Sequence, residues 1–232
     1  MNEQHQKVMV VTPHPDDAEI ACGGTVAKWV REGGEVMYVV CTNGDKGSGD
    51  PSMTSERLAA IRRQEQEKAA ALLGVKEVVL LGHPDGTLED TWEFRGEIVR
   101  HIRCYRPTLV LTCDPNRRYL QHRDHRIAGQ VTLDAVYPYS RDHLFYPEHL
   151  AAGLEPHTLR HVYVWGAEEP DIFIDISDTI DLKVEALFCH TSQIRAASKE
   201  LLAQWVRTRA AEQGKSQGLA LAESFRHVQF WW

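Results

Sequence analysis

The sequence predicts a single α/β domain, a mostly parallel β-sheet with helices on both faces. Three observations carry this. Short apolar runs alternate with longer amphipathic stretches from the start of the chain, the order that builds βαβ units. The early helical stretches each end at a glycine or proline that leads directly into the next apolar run. The 232 residues suffice for one full α/β core and fall short of two independent ones, so 1–232 is read as one domain. The pattern is that of a Rossmann-like, doubly wound sheet.

The first strand is expected at 8–12, where Val8, Met9, Val10 and Val11 form a continuous apolar run. A helix over 17–32 closes at Gly33-Gly34 and feeds a strand at 35–42. A second helix, 55–73, stops at Gly74 before a strand at 77–81, and a third, 88–105, stops near Pro107 before a strand at 108–113. A helix over 125–136 follows. The stretch 137–160 holds three prolines and four aromatics without periodicity. It reads equally as a lid over a site or as a surface excursion, since long loops divide between those roles. Strands at 161–165 and 171–176, helices at 178–190 and 199–212, and an aromatic terminal strand at 225–232 complete the chain. There is no internal repeat, low-complexity tract or linker.

The formal net charge is -7, with Lys and Arg scattered among acids, which argues against a nucleic-acid partner. Residues 1–7 are polar and lack the apolar core of a secretory leader. No apolar run approaches the roughly 20 residues that span a bilayer. The expectation is a cytoplasmic protein with no membrane span. Five cysteines form no CxxC pair, which fits reduced, mostly buried thiols and gives a thiolate zinc site no suitable spacing. The tail Phe230-Trp231-Trp232 can bury against its own core or against a second copy, so a homo-oligomer stays open.

Chemistry concentrates in two clusters. His14-Pro15-Asp16-Asp17 stands where the first strand ends and a helix begins, and His122-Arg123-Asp124-His125 stands in the equivalent place after the strand at 108–113. Ligands of open parallel sheets gather outside the carboxyl ends of the strands, so both clusters fall where a site is expected. His14 and Asp17, at i and i+3, can face one point while Asp16 faces the adjacent space. His122 and His125 share that spacing, and only one need be a ligand. Two histidines and a carboxylate suit catalytic zinc, which lowers the pKa of bound water to about 7. Asp16 is then free to accept a proton. Any one of these histidines alone reads as an ordinary hydrogen-bonded side chain; their joint placement points to a site.

The chain resembles the LmbE-like, or PIG-L, family of zinc deacetylases that remove N-acetyl groups from glucosamine-containing substrates. The resemblance covers most of the chain. It rests on His14-Pro15-Asp16-Asp17-Ala18-Glu19 with Cys22-Gly23-Gly24-Thr25, on Thr42 to Gly47, on Arg62 to Glu65 leading to Leu73-Gly74-Val75, on Pro84-Asp85-Gly86, on His122 to His125 and on His190-Thr191-Ser192-Gln193. It implies one Zn2+ per chain held by His14, Asp17 and His125. Asp16 would be the general base, His122 would stabilise or protonate the intermediate, and Asp124 would orient His122. The implied partner is a small-molecule aminosugar substrate, with Arg62 and Asp85 as contacts. Arg62 also reads as a solvated helix cation, and Pro84-Asp85-Gly86 as plain turn chemistry.

Other residues carry less. His83-Pro84-Asp85 imitates the first motif but lacks its second aspartate. Gly23-Gly24 belongs to no phosphate-binding pattern and is better explained by close helix packing. Asp45 and Lys46 sit at a strand end where they can line a pocket, Tyr119 is placed to reach an intermediate, and His190 to Gln193 suit a helix cap or a substrate contact. Three other functions compete. One is an amidase on another amide-linked aminosugar conjugate. Another is a non-haem iron oxygenase that would use Asp16 as a ligand, against an alternating fold foreign to the jelly-roll enzymes of that type. The last is a non-catalytic Rossmann-like binding module, which lacks the glycine fingerprint for a pyrophosphate.

Overall fold

The computed structural model describes residues 7–119, 121–194 and 198–231. Most of the polar N-terminal stretch (1–6), and Trp232 of the expected last strand, lie outside the described residues. In chain order the elements are β1 (Lys7–Thr12), α1 (Asp17–Arg31), β2 (Glu35–Thr42), α2 (Ser55–Leu73), β3 (Glu77–His83), α3 (Trp92–Tyr105), β4 (Leu109–Cys113), α4 (Arg123–Asp134), α5 (Pro147–Ala151), β5 (His161–Trp165), β6 (Ile172–Asp175), α6 (Ile180–Leu187), α7 (Lys199–Gly214) and β7 (Ala222–Gln229). A π-helical stretch, Ala135–Tyr139, continues α4.

The sheet has seven strands in the order β3-β2-β1-β4-β5-β7-β6. The first five run parallel, and β7 lies antiparallel between β5 and β6. α1, α2, α6 and α7 pack with one another on one face, while α3, α4 and the π-helical stretch pack together on the other. β7 starts three residues ahead of the expected strand because Glu223, buried in its second position, interrupts the apolar pattern. Its carboxylate accepts the backbone N–H groups of Gly24 and Thr25 and pairs with Lys183. Gly23-Gly24 is therefore a packing feature, since a Cβ on Gly24 would lie 2.8 Å from Ile176. Among the described residues no helix is long and apolar enough to cross a membrane.

Three helix starts differ from expectation: α6 begins at Ile180, two residues late, and the other two are set by caps. α3 begins at Trp92, where Thr91 accepts the Phe94 N–H, and α4 begins at Arg123, where the ring of His122 accepts the Asp124 N–H. Leu88, expected inside α3, is instead a buried turn residue whose N–H goes to the Asp124 carboxylate.

The 137–160 stretch is a cover for α3, and none of its residues lines the cleft described below. Its anchor is Arg103, a fully buried cation of α3 that donates to the backbone carbonyls of Tyr139, Ser140, Asp142, Phe145 and Tyr146. Truncation strands those carbonyls away from water. Arg103→Leu is expected to cost about 3 kcal/mol, roughly 6–12 °C in Tm for a domain of this size, with kcat unchanged well below Tm. A thermal melt and an assay on one preparation check this; a fall in kcat far below Tm would return the segment to the site.

Candidate active site

β1 and β4 are neighbours whose following helices pack on opposite faces, so the crevice beyond their carboxyl ends is the topological switch point. His14 follows β1, Asp85 follows β3, and His122 to His125 open α4 after β4. The fold thus brings together residues 110 positions apart: the His14 Nε2 lies 3.0 Å from the Asp124 Oδ2.

His14, Asp17 and His125 converge on one oxygen. The Oδ2 of Asp17 lies 3.0 Å from His14 Nδ1 and 3.1 Å from His125 Nε2, and it accepts the His14 backbone N–H at 3.1 Å. All three offer ligand atoms within 4.8 Å of one another. Burial would raise the Asp17 carboxyl, but His125 and His14 hold it well below the usual carboxylate range. Burial likewise opposes a proton on His14, yet Asp124, Asp17 and Asp85 push its pKa up to about 12. This crowding of carboxylates around imidazoles is the electrostatic surrounding of a cation site. Two imidazole nitrogens and one carboxylate, beside an open cleft, fit zinc. A second grouping, His14, Asp85, His122 and Asp124, also brings its ligand atoms within 4.8 Å of one another. It is the poorer set, because Asp124 already accepts the N–H groups of Gly86 (2.7 Å) and Leu88 (3.1 Å).

Asp16 stands beside this cluster and belongs to neither grouping, as an oxygenase ligand would have to. It precedes α1 with φ of 96°, a left-handed conformation uncommon outside glycine and costly by about 1–2 kcal/mol. Two α2 side chains hold it there. Gln66 accepts the Asp16 N–H at 3.0 Å, and Arg62 donates to Pro15 O (2.6 Å) and to Asp16 Oδ2 (3.2 Å). Burial, then the charge of Asp17, pushes the Asp16 carboxyl up to about 7 against the pull of Arg62 and His190. Arg62 also donates to Gly44 O, and a Cβ on Gly44 would meet its guanidinium at 2.7 Å.

Arg62 and Asp85 are thus nearly enclosed, 4% and 9% exposed. Arg62 grips the Asp16 turn, and Asp85 lies 3.2 Å from His14 Nε2 and 3.8 Å from Arg62. The expected pairing of Asp124 with the His122 ring takes another form. Because His122 is the residue that caps α4, its Nδ1 accepts the Asp124 backbone N–H at 3.2 Å, and the Asp124 carboxylate turns to His14 instead. Asp45 accepts the Asp85 N–H and pairs with Lys46. His83 pairs with Glu97, away from the cluster, and Tyr119 is 97% exposed.

The fold also gives Gln66, Glu19 and the His190 to Ser192 stretch partners that local spacing does not indicate. Gln66 also donates to Glu19, and buried His190 lies 3.3 Å from the other Glu19 oxygen. Burial opposes a proton on His190, but Glu19, Asp16 and Glu65 hold its pKa above the ordinary value. Thr191 and Ser192 fasten Glu65, so His190-Thr191-Ser192 supports the site from below. A cleft of about 270 Å³ adjoins the centre, its lining including Asp17, His122, His125, Trp165, Arg117 and Arg209. Arg209 comes from α7, nearly 200 residues beyond the first motif, where no local signal marks it.

Fold and cluster together define a doubly wound α/β protein with a metal-competent centre opening on a cleft. The chain belongs to the PIG-L family: the family model described as GlcNAc-PI de-N-acetylase matches residues 9–136. It is 38% identical to the diacetylchitobiose deacetylase of Thermococcus kodakarensis, covering 96% of this chain and 83% of that one. It is 31% identical to a probable N-acetyl-alpha-D-glucosaminyl L-malate deacetylase 2 of Bacillus anthracis, covering 86% of each. The N,N'-diacetylchitobiose deacetylase of Pyrococcus horikoshii superposes with a TM-score of 0.91 at 35% identity, over 97% of this chain and 84% of that one.

Proposed function

We propose that this protein is a zinc-dependent hydrolase that removes the N-acetyl group from an N-acetylglucosamine-containing small molecule. The observation that carries the reading is the convergence of His14 Nδ1 and His125 Nε2 on Asp17 Oδ2, with Asp16 beside them, in a chain whose relatives are named as deacetylases. His14, Asp17 and His125 would hold the metal. Bound there, zinc would act as a Lewis acid toward water and the amide carbonyl.

The side chains divide the remaining work. Asp16 accepts a proton from the water that attacks the acetyl carbon. It is then placed to return that proton to the nitrogen as the C–N bond breaks, giving acetate and a free amine. His122, whose Nδ1 is occupied by a backbone N–H, keeps Nε2 for the oxygen that gains charge in the transition state. Arg62 and Gln66 hold Asp16 in its strained turn, and any substrate contact by Arg62 or Asp85 is limited to the small surface each exposes. Arg117 and Arg209 line the cleft without an ion-pair partner among the described residues, which favours conjugates whose second unit is rich in oxygen acceptors.

The test measures acetate and free amine from a panel of N-acetylglucosamine conjugates, using zinc-loaded and chelator-treated protein. Equal release of both products by the zinc-loaded form alone is expected. Amine without acetate would favour an amidase on another acyl group, and activity that survives complete metal removal would overturn the reading.

A further inference from the structure

We propose that the Asp124 carboxylate is a positioning group for the metal ligand His14, selecting which of its ring nitrogens faces the metal. The inference rests on the reading that His14, Asp17 and His125 hold zinc. Asp124 is wholly buried, and its two oxygens are fixed by rigid donors: Leu88 N–H on Oδ1 at 3.1 Å and Gly86 N–H on Oδ2 at 2.7 Å. Both donors belong to the turn after β3, so the carboxylate is locked from two directions before it meets any imidazole.

In that orientation Oδ2 lies 3.0 Å from His14 Nε2. A neutral imidazole has one donor nitrogen and one acceptor nitrogen. A carboxylate on Nε2 therefore keeps the proton there and leaves the Nδ1 lone pair free. Nδ1 is the nitrogen that faces Asp17 Oδ2, the oxygen shared with His125. Carboxylate partners of this kind orient a ligating histidine and strengthen it as a donor, and losing one costs about 10- to 100-fold in metal affinity. Asp85 Oδ1, 3.2 Å from the same nitrogen, is an additional acceptor. His122 draws nothing from this carboxylate; its ring is held by the backbone N–H of Asp124, which any side chain at that position would supply.

Zinc affinity of the full-length protein, measured by competition with a chromophoric chelator, tests the assignment on wild type, Asp124→Asn and His122→Gln. Asp124→Asn is expected to bind zinc about 10- to 100-fold more weakly, because the neutral amide loses the charge that strengthens His14 and must set its N–H₂ against either His14 Nε2–H or the Leu88 N–H. His122→Gln is expected to match wild type. Unchanged affinity in Asp124→Asn, or an equal loss in both variants, overturns the assignment. If Asp124→Asn does not fold, long-range ¹H–¹⁵N correlation on zinc-loaded wild type decides. A proton on His14 Nε2 supports the inference, and an unprotonated Nε2 overturns it. A wild type that takes up no zinc overturns the metal reading itself, whereas zinc-loaded wild type with an indifferent Asp124→Asn overturns only the role of Asp124.

Discussion

Asp16→Asn is expected to keep its fold and its zinc while losing about 10²- to 10⁴-fold in kcat, the usual range for removing a positioned proton acceptor. The replacement keeps the shape and backbone of residue 16 and removes its charge beside Arg62 together with its capacity to take a proton. Asparagine tolerates the left-handed backbone that residue 16 adopts at φ 96°. The Asp16 N–H to Gln66 and the Arg62 bond to Pro15 O do not involve the side chain, and an amide oxygen can still accept from Arg62. The amide cannot take a proton from water at neutral pH. Steady-state kinetics with metal content on the same sample check the result. Near-wild-type kcat with full zinc would remove Asp16 as the base, and loss of zinc would instead make it a ligand.

The second large effect separates two histidines three residues apart. His125→Ala should bind no zinc after desalting and show no turnover, because it removes one of the two imidazole nitrogens that meet Asp17 Oδ2. His122→Ala should retain zinc and lose turnover by at least about 100-fold, as expected when a transition-state donor is deleted. The reason lies in the cap of α4. His122 sits ahead of the first turn with Nδ1 satisfied by the Asp124 N–H, whereas His125 projects from that turn toward Asp17. Metal analysis beside kinetics on both variants checks the division, and equal loss of zinc in the two would overturn it.

Much of this was legible in the linear sequence. Apolar runs such as Val8 to Val11 and Leu109 to Leu111 mark buried parallel strands because a strand covered on both faces has no polar side to show. The i, i+3 spacing of His14 with Asp17 and of His122 with His125 points at a shared centre because local backbone geometry alone aims those side chains. The glycine stops at Gly33 and Gly74 were readable for the same reason, since a left-handed residue after a helix is a local requirement.

What only the tertiary structure decided are pairings between distant segments. The sequence alone determined the α/β alternation, the two clusters and their place at strand ends, all consequences of local periodicity and spacing. It did not decide that Asp124 turns to His14, that Arg62 is enclosed around the Asp16 turn, that Gln66, Glu19 and His190 stand beneath it, that Arg209 reaches the cleft, or that β7 slots between β5 and β6. A buried charge such as Arg103 or Glu223 looks like a surface residue until the carbonyls or N–H groups that satisfy it are brought alongside. Those partners are supplied by packing, because a desolvated charge is tolerated only where the fold closes its hydrogen bonds around it.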